Sequence, residues 1–248
     1  MTLNLKKLDL KFDPDTRHWL NGSQVPGCTS ISALFSEDGW KFAWPPKLMG
    51  EKLLACLKSG VIIGESHIKE AKNAWREKRD KSADTGTKGH EIIEYVIKQR
   101  MRGEQFPYVT HHEYEEISGE VANILDQFFL WEIETKPEWL ASELQVASET
   151  HKFAGILDAL ARIDGKIVLI DFKTSSGIKD EYNIQLAGLC ICLEEMGLPV
   201  DQRAILHLPK KGRYEYRIID TDLEFEKECF LAGLKLYSYK NLFLARCK

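Results

Sequence analysis

Along residues 11–31, short extended runs alternate with turn signals: Phe12, then Asp13-Pro14-Asp15, then His18-Trp19-Leu20, then Asn21-Gly22. Asn-Gly between two extended runs predicts a hairpin. Thr29 or Ser30 is placed to cap a short helix through Leu34 and Phe35. Pro45-Pro46 predicts a break, with helical spacing resuming over 47–58. A charged helix is expected over 66–81, where Lys69, Lys72, Arg76 and Arg79 recur three and four residues apart. The Asp84-Thr85-Gly86 turn should separate it from a helix over 88–100, whose apolar face is Ile92, Ile93, Val96 and Ile97. After a loop over 102–112, a helix over 114–133 packs Ile117, Val121, Ile124, Leu125 and Phe128.

The period then changes from 3.6 to 2. Strands are predicted over 139–147, 153–163 and 166–173, the last two joined at Asp164-Gly165. A helix over 179–196 ends at Gly197 and Pro199. Strands over 203–208 and 214–219 and a helix over 223–244 complete the chain. A mostly helical first half followed by β-β-β-α-β-β-α predicts one α/β domain over 1–248, with a hairpin and helical elaboration over 1–84 and the core over 85–248.

Composition narrows the function classes. With 44% hydrophobic and 29% charged residues the chain is neither disordered nor low-complexity, and a chain this long buries ~70–75% of its unfolded surface. No apolar run approaches the ~20 residues that span a bilayer, and Leu alternates with Lys and Asn over 1–10, unlike a secretory signal. A cytoplasmic protein, of a bacterial or phage-infected cell, is expected. The formal charge of -4 removes bulk positive charge as a reason to bind nucleic acid. The cysteines at 28, 56, 190, 192, 229 and 247 have neither the density of a disulfide scaffold nor a two-residue metal spacing. They read as reduced structural thiols.

The chemistry concentrates in one hairpin. If Asp164 and Gly165 form a two-residue type I′ turn, Ile163 faces Lys166 and, in the same register, Asp158 faces Asp171, their Cβ atoms about 4.5–5.5 Å apart. Lys173 shares the face of Asp171, while Leu157, Ala159, Ala161 and Ile163 with Val168, Ile170 and Phe172 make the opposite, apolar face. The run Ile167-Val168-Leu169-Ile170 predicts a central strand buried on both sides. Two carboxylates at 4 Å repel by about 4 kcal/mol at an effective dielectric near 20. A shared proton, a neighbouring cation or a bound divalent metal would relieve this, and a hard metal suits two Asp best. An ordinary half-exposed hairpin with polar residues outward accounts for the same residues without any site.

Gly155-Ile-Leu-Asp158, then Asp171-Phe172-Lys173-Thr174, then Gln185 on the next helix, resembles the PD-(D/E)xK nuclease superfamily, and within it the RecB-like exonuclease branch that includes phage and mitochondrial genome maintenance exonucleases. Gly86-Thr-Lys-Gly-His90, with Glu94 one turn on, and His18-Trp19…Gly22…Val25-Pro26…Thr29-Ser30-Ile31 extend the likeness over most of 12–220. The resemblance implies a restriction-endonuclease-like core, a central mixed sheet flanked by helices, and a metal site of His90, Asp158, Asp171 and the Phe172 carbonyl. It assigns Lys173 the role of catalytic lysine, sets Thr174 and Gln185 near the substrate strand, and makes Glu94 and Glu143 outer-shell candidates. Where the family carries Tyr four residues after the helix Gln, this chain has Leu189, and Tyr182 is the candidate to occupy that space. Some relatives hold an iron–sulfur cluster on a tight C-terminal cysteine group; the spacing of Cys190, Cys192, Cys229 and Cys247 differs, and no cluster is expected.

The expected function is therefore Mg²⁺- or Mn²⁺-dependent hydrolysis of DNA phosphodiesters, as an exonuclease of recombination, repair or phage DNA processing. His90 in the ligand set is what admits Mn²⁺. Trp75, Arg76 and Arg79 are candidate DNA contacts, by stacking and phosphate pairing, against an ordinary solvated helix face. Lys210-Lys211 with Arg213 form a second candidate. His111, His112 and His151 lack spaced partner ligands and read as loop or strand residues. No Gly-rich loop with Lys-Ser/Thr encodes nucleotide binding. The partners expected are DNA with an end and no membrane; a homo-oligomer or a recombination partner protein stays open. The alternatives are a structure-selective or restriction-type endonuclease on the same core, and a catalytically silent nucleic-acid-binding module.

Overall fold

The structure, a computed structural model, describes residues 3, 5–13, 17–36, 39–104 and 119–246, of which 17, 39–42 and 241–246 are described by backbone alone. The expected positions 14–15, 105–118 and 247, and with them His111, His112, Ile117 and Cys247, lie outside the described residues. The chain divides into two compact units, Glu37–Lys88 and the combination of Met1–Ser36 with Gly89–Lys248.

In the larger unit, β1 (Leu10–Asp13), β2 (Arg17–Leu20) and β3 (Ser23–Val25) form a small antiparallel sheet. Asn21 and Gly22 turn β2 into β3 with φ of 51° and 75°, the positive values an Asn-Gly type I′ turn requires. The helix α1 (Cys28–Ser32) follows and tightens into a 3-10 turn at Ala33–Phe35. It starts one residue ahead of the expected Thr29 or Ser30 cap: Gly27 occupies the N-cap with no side-chain cap bond, held by a bridge to Ala154.

The smaller unit contains α2 (Gly39–Lys58) and the first two-thirds of α3 (Glu65–Met101). Two expected breaks are absent. Pro45 and Pro46 lie inside α2; they forfeit only the amide bonds to the carbonyls of Lys41 and Phe42, near the helix start. Asp84-Thr85-Gly86 continue α3 as helix, and the buried Thr85 hydroxyl donates to the Lys81 carbonyl at 2.9 Å, so the side chain follows the helix instead of ending it.

The main sheet runs β4 (Glu138–Ser148), β5 (Phe153–Ile163), β6 (Lys166–Lys173), β7 (Gln202–His207) and β8 (Glu215–Ile219), in that order across the sheet. All neighbours are antiparallel except β6 and β7, which run parallel and are joined through α5 (Glu181–Glu195). The sheet is therefore mixed, with helices on both faces. One face meets α1, α5 and α6 (Leu223–Arg246), where Leu157, Leu160, Leu169 and Ile205 pack with Leu186, Leu189, Cys190 and Phe230. The other meets α4 (Gly119–Thr135) and the C-terminal part of α3, where Ala161, Val168, Ile170 and Leu206 pack with Ile93, Ile97, Ile124, Phe128 and Trp131. β6 is central and buried on both sides, as its apolar run requires. Among the described residues, no helix is long and apolar enough to cross a membrane.

Leu157 departs from the expected face. It packs in the α5 layer with Leu160, three residues on, whereas Ala159 and Ala161 face the α4 layer. The period-2 alternation of β5 thus slips by one residue around Asp158. Its neighbour β4 slips in concert: Leu144 pairs with Leu157 and Ser142 with Ala159, and the intervening Glu143 has φ of 50°. A left-handed backbone at a non-glycine residue inside a strand is uncommon and strained. Register survives because both strands slip together.

Two buried features predict stability. A Cβ on Gly188 would lie 2.4 Å from a Phe230 ring carbon, where α5 and α6 cross; Gly188→Ala should cost about 1–3 kcal/mol in urea unfolding. Arg203 and Glu226 form a buried ion pair, and Arg203 also donates to the Thr221 carbonyl at 3.1 Å. Arg203→Ala, which strands the Glu226 carboxylate, should cost about 3–5 kcal/mol by the same measurement.

Candidate active site

The site forms where the β5–β6 ladder ends. Asp164 and Gly165 adopt φ of 50° and 79°, and Ile163 pairs with Lys166, Ala161 with Val168 and Ala159 with Ile170. The next step of this register sets Asp158 across from Asp171. The Phe172 N–H that would continue the ladder instead donates to Asp158 Oδ2 at 2.6 Å. The Asp158 carboxylate is thereby fixed by the backbone of the strand that carries its partner.

Asp171 is 2% exposed. Lys173 Nζ donates to its Oδ1 at 2.8 Å and lies 2.6 Å from Oδ2, but Oδ2 receives no well-directed hydrogen bond. Lys173 is enclosed in turn: Gln185 Oε1 lies 3.4 Å from Nζ, and the Tyr182 ring centroid 4.7 Å from it. Gln185 and Tyr182 share one face of α5, three residues apart. The Tyr182 hydroxyl bonds Ser175 Oγ at 3.1 Å, and the Ser175 carbonyl meets His207 Nε2 at 2.7 Å, so the loop after β6 is tied to both α5 and β7. Thr174 is half-buried at the start of that loop.

Burial pushes the Asp171 carboxyl up to about 7; Lys173 pulls against this, and Asp158 adds to it. Burial draws the Lys173 ammonium down, but the Asp171 and Asp158 carboxylates prevail and hold it above the ordinary lysine value. Glu143 is also raised to about 7, by burial first, then by the charges of Asp158 and Glu94. Asp158 thus links two acidic neighbours, one on the strand to each side.

Helix α3 carries His90, Glu94 and Lys98 at four-residue spacing on one face. Glu94 is ion-paired to Lys98, and the His90 ring meets the Phe172 ring edge-on at 6.3 Å between centroids. Among the described residues, no three His, Cys, Asp or Glu side chains stand together in a ready-made metal-holding group. The donor chemistry nevertheless suits a hard divalent cation: a buried carboxylate oxygen lacking a well-directed hydrogen bond, a second carboxylate across the ladder, and a lysine whose ammonium occupies the position of a counter-charge. Asp158 and Asp171, with the Phe172 carbonyl, are the residues that could hold it.

The remaining candidates make other contacts. Trp75, Arg76 and Arg79 belong to the unit Glu37–Lys88, where both guanidinium groups flank the indole ring at 5.4 and 5.2 Å. Arg213 pairs with Glu134 and covers the Tyr214 ring. His151 sits in the turn between β4 and β5. Leu189 is buried in the α5 layer, so that position packs the core, while Tyr182 stands beside Lys173. Cys28, Cys190 and Cys192 are buried and free, and burial pushes Cys190 up to about 12. Sequence reasoning missed His207 and Ser175. Their signal is the parallel pairing of Lys173 with His207, which no local pattern encodes.

The raised acids predict a pH dependence. Glu143 and Asp171 bind protons in the folded chain over a range, from their ordinary 4.5 and 3.8 up to about 7, in which the unfolded chain has released them. Their stabilising contribution is complete below about pH 4 and is lost as pH rises through about 7. In EDTA, Glu143→Gln should lessen the fall in stability between pH 5 and pH 8, measured by urea unfolding at each pH.

No protein-family model matches the chain, and no curated protein matches it. Among solved structures, it is similar to the alkaline exonuclease LHK-Exo from Laribacter hongkongensis, with 18% identity over 62% of this chain and 83% of that one and a TM-score of 0.33. The same exonuclease in complex with dAMP matches at 16% identity, over 90% of this chain and 95% of that one, with a TM-score of 0.37. A protein called SSO0001 matches at 15% identity, over 59% and 86%, with a TM-score of 0.30. At these identities and TM-scores the likenesses say nothing about the chemistry of individual residues.

Proposed function

We propose that this chain is a metal-dependent deoxyribonuclease that removes nucleotides from DNA ends. The observation that carries the reading is the buried Asp171 carboxylate, within electrostatic reach of Asp158 and with Lys173 as its ion-pair partner, at the end of a central strand. Burying the Asp171 carboxylate beside a second, half-buried one at Asp158 costs several kcal/mol unless positive charge compensates. Such a site is explained by a ligand that brings positive charge.

Mg²⁺ or Mn²⁺, held by Asp158, Asp171 and the Phe172 carbonyl with His90 and Glu143 nearby, would supply charge neutralisation at the phosphate and an acidified water. The protein's own groups do the rest. Lys173 leaves Asp171 to face the scissile phosphate, where its ammonium stabilises the charge that develops on a non-bridging oxygen. Gln185 and Tyr182 keep that ammonium from swinging away from the site. The Phe172 N–H holds Asp158 in its rotamer, so no reorganisation is needed when substrate arrives. Trp75, Arg76 and Arg79 offer a sequence-independent grip by stacking and phosphate pairing, which suits a nuclease that must act on any sequence.

The test is a time course with Mg²⁺, then Mn²⁺, on end-labelled linear DNA and on covalently closed circles. Linear DNA should be degraded progressively from an end, and circles should survive. Asp171→Asn should abolish the activity and Lys173→Ala should lower it by about 10²–10³-fold, with circular dichroism unchanged for both. Cutting of circles would assign an endonuclease instead. No cleavage by the wild-type chain with either metal would leave a nucleic-acid-binding module.

A further inference from the structure

Helix α6 has two apolar faces, although a helix at the surface of one sheet needs only one. Its inner face, with Phe230 and Leu234 fully or nearly fully buried, covers the α5 layer of the sheet. Its outer face carries Phe225, Cys229, Ala232, Leu236 and Tyr239. These recur at intervals of four, three, four and three residues, the heptad spacing of a seam between two helices. Phe225, Leu236 and Tyr239 are 62%, 59% and 67% exposed. The seam spans 14 residues, about 21 Å of helix.

Charge along α6 indicates what covers it. Residues 220–228 contain five acidic residues (Asp220, Asp222, Glu224, Glu226, Glu228) and one base, Lys227; Glu226 is buried against Arg203 and Lys227 pairs with Glu224 and Glu194, so Asp220, Asp222 and Glu228 carry the negative charge of this end. From 229 to 248 there is no Asp or Glu, and Lys235, Lys240, Arg246 and Lys248 are basic. Acid at the N-terminus and base at the C-terminus complement the helix macrodipole, which accounts for part of this order. It does not account for an exposed heptad seam. Two such helices side by side repel at both ends when parallel and attract at both ends when antiparallel.

We infer that α6 is a self-association surface on which a second copy of this chain docks antiparallel, seam to seam. Opposing small residues to large ones selects the register. Cys229 faces Tyr239 of the second copy and Ala232 faces Leu236 of the second copy, so small residues oppose large ones. A single helix pair of this length buries less than the 1,200 Å² or so of a stable interface, so the dimer should be weak, with a dissociation constant on the order of 10 µM. The inference is independent of the nuclease reading.

Sedimentation velocity on the full-length chain from 1 to 200 µM tests it. The weight-average mass should rise toward two chains across this range. Leu236→Glu, at an exposed position, should abolish the rise while leaving the thermal unfolding of dilute protein unchanged. Ala232→Glu, at the exposed position opposite Leu236 of the second copy, should weaken association at least about five-fold, because it buries a charge without a partner in the seam. Thiol oxidation at high concentration separates the two orientations. A parallel pair would bring Cys229 next to its own copy, whereas the antiparallel pair holds the two apart by about 15 Å, beyond disulfide reach. A monomer at every concentration, a dimer indifferent to Leu236→Glu or to Ala232→Glu, or a cross-link lost in Cys229→Ser would each overturn the inference.

Discussion

A carboxylate out of water organises this protein. Asp171 stands at the end of the central strand, between antiparallel β5 and parallel β7, with Lys173 two residues on as its ion-pair partner. That placement requires the surrounding elements to do more than pack. β5 brings Asp158 across and spends its side chain on the Phe172 N–H. α5 turns Gln185 and Tyr182 toward the ammonium. β7 supplies His207 to fix the loop that follows Lys173. Each neighbour of β6 contributes one polar group to a cluster that an apolar sheet would otherwise exclude.

The same constraint shows in the backbone. Alternation slips in β4 and β5 where Glu143 and Asp158 lie, and Glu143 carries the strained φ. The slip moves Leu157 into the α5 layer and sets Glu143 within electrostatic reach of Asp158 and Glu94. β4 carries a second irregularity, a register shift between Trp139 and Ala141.

Charge is also partitioned between the units. Residues 37–88 hold 11 Lys and Arg against 8 Asp and Glu, whereas the remainder holds 23 against 30. The overall -4 therefore averages a basic helical unit and an acidic sheet unit, and the acidic excess includes the carboxylates that cluster around Asp158. Whole-chain charge describes solubility; the local sign is what a polyanion meets.

The register of the central hairpin was legible because Asp164-Gly165 is a local signal: a two-residue turn permits one pairing, which the ladder follows from Ile163 with Lys166 to Ala159 with Ile170. The mixed α/β architecture was legible from the change of period near residue 138. Helix continuity through Pro45-Pro46 and through Asp84-Thr85-Gly86 was not, because propensity is a weak local preference that a neighbouring helical turn and one side-chain bond can outweigh. Nor were the slip at Asp158, the support of Lys173 by Tyr182, or the tie from His207, which depend on strands and helices far apart in sequence. The sequence by itself determined which residue types could do chemistry and the register of the hairpin that carries them, since hairpin geometry is local. Only the tertiary structure decided how deeply Asp171 is buried and which groups surround its lysine, since those depend on elements brought together across the sheet.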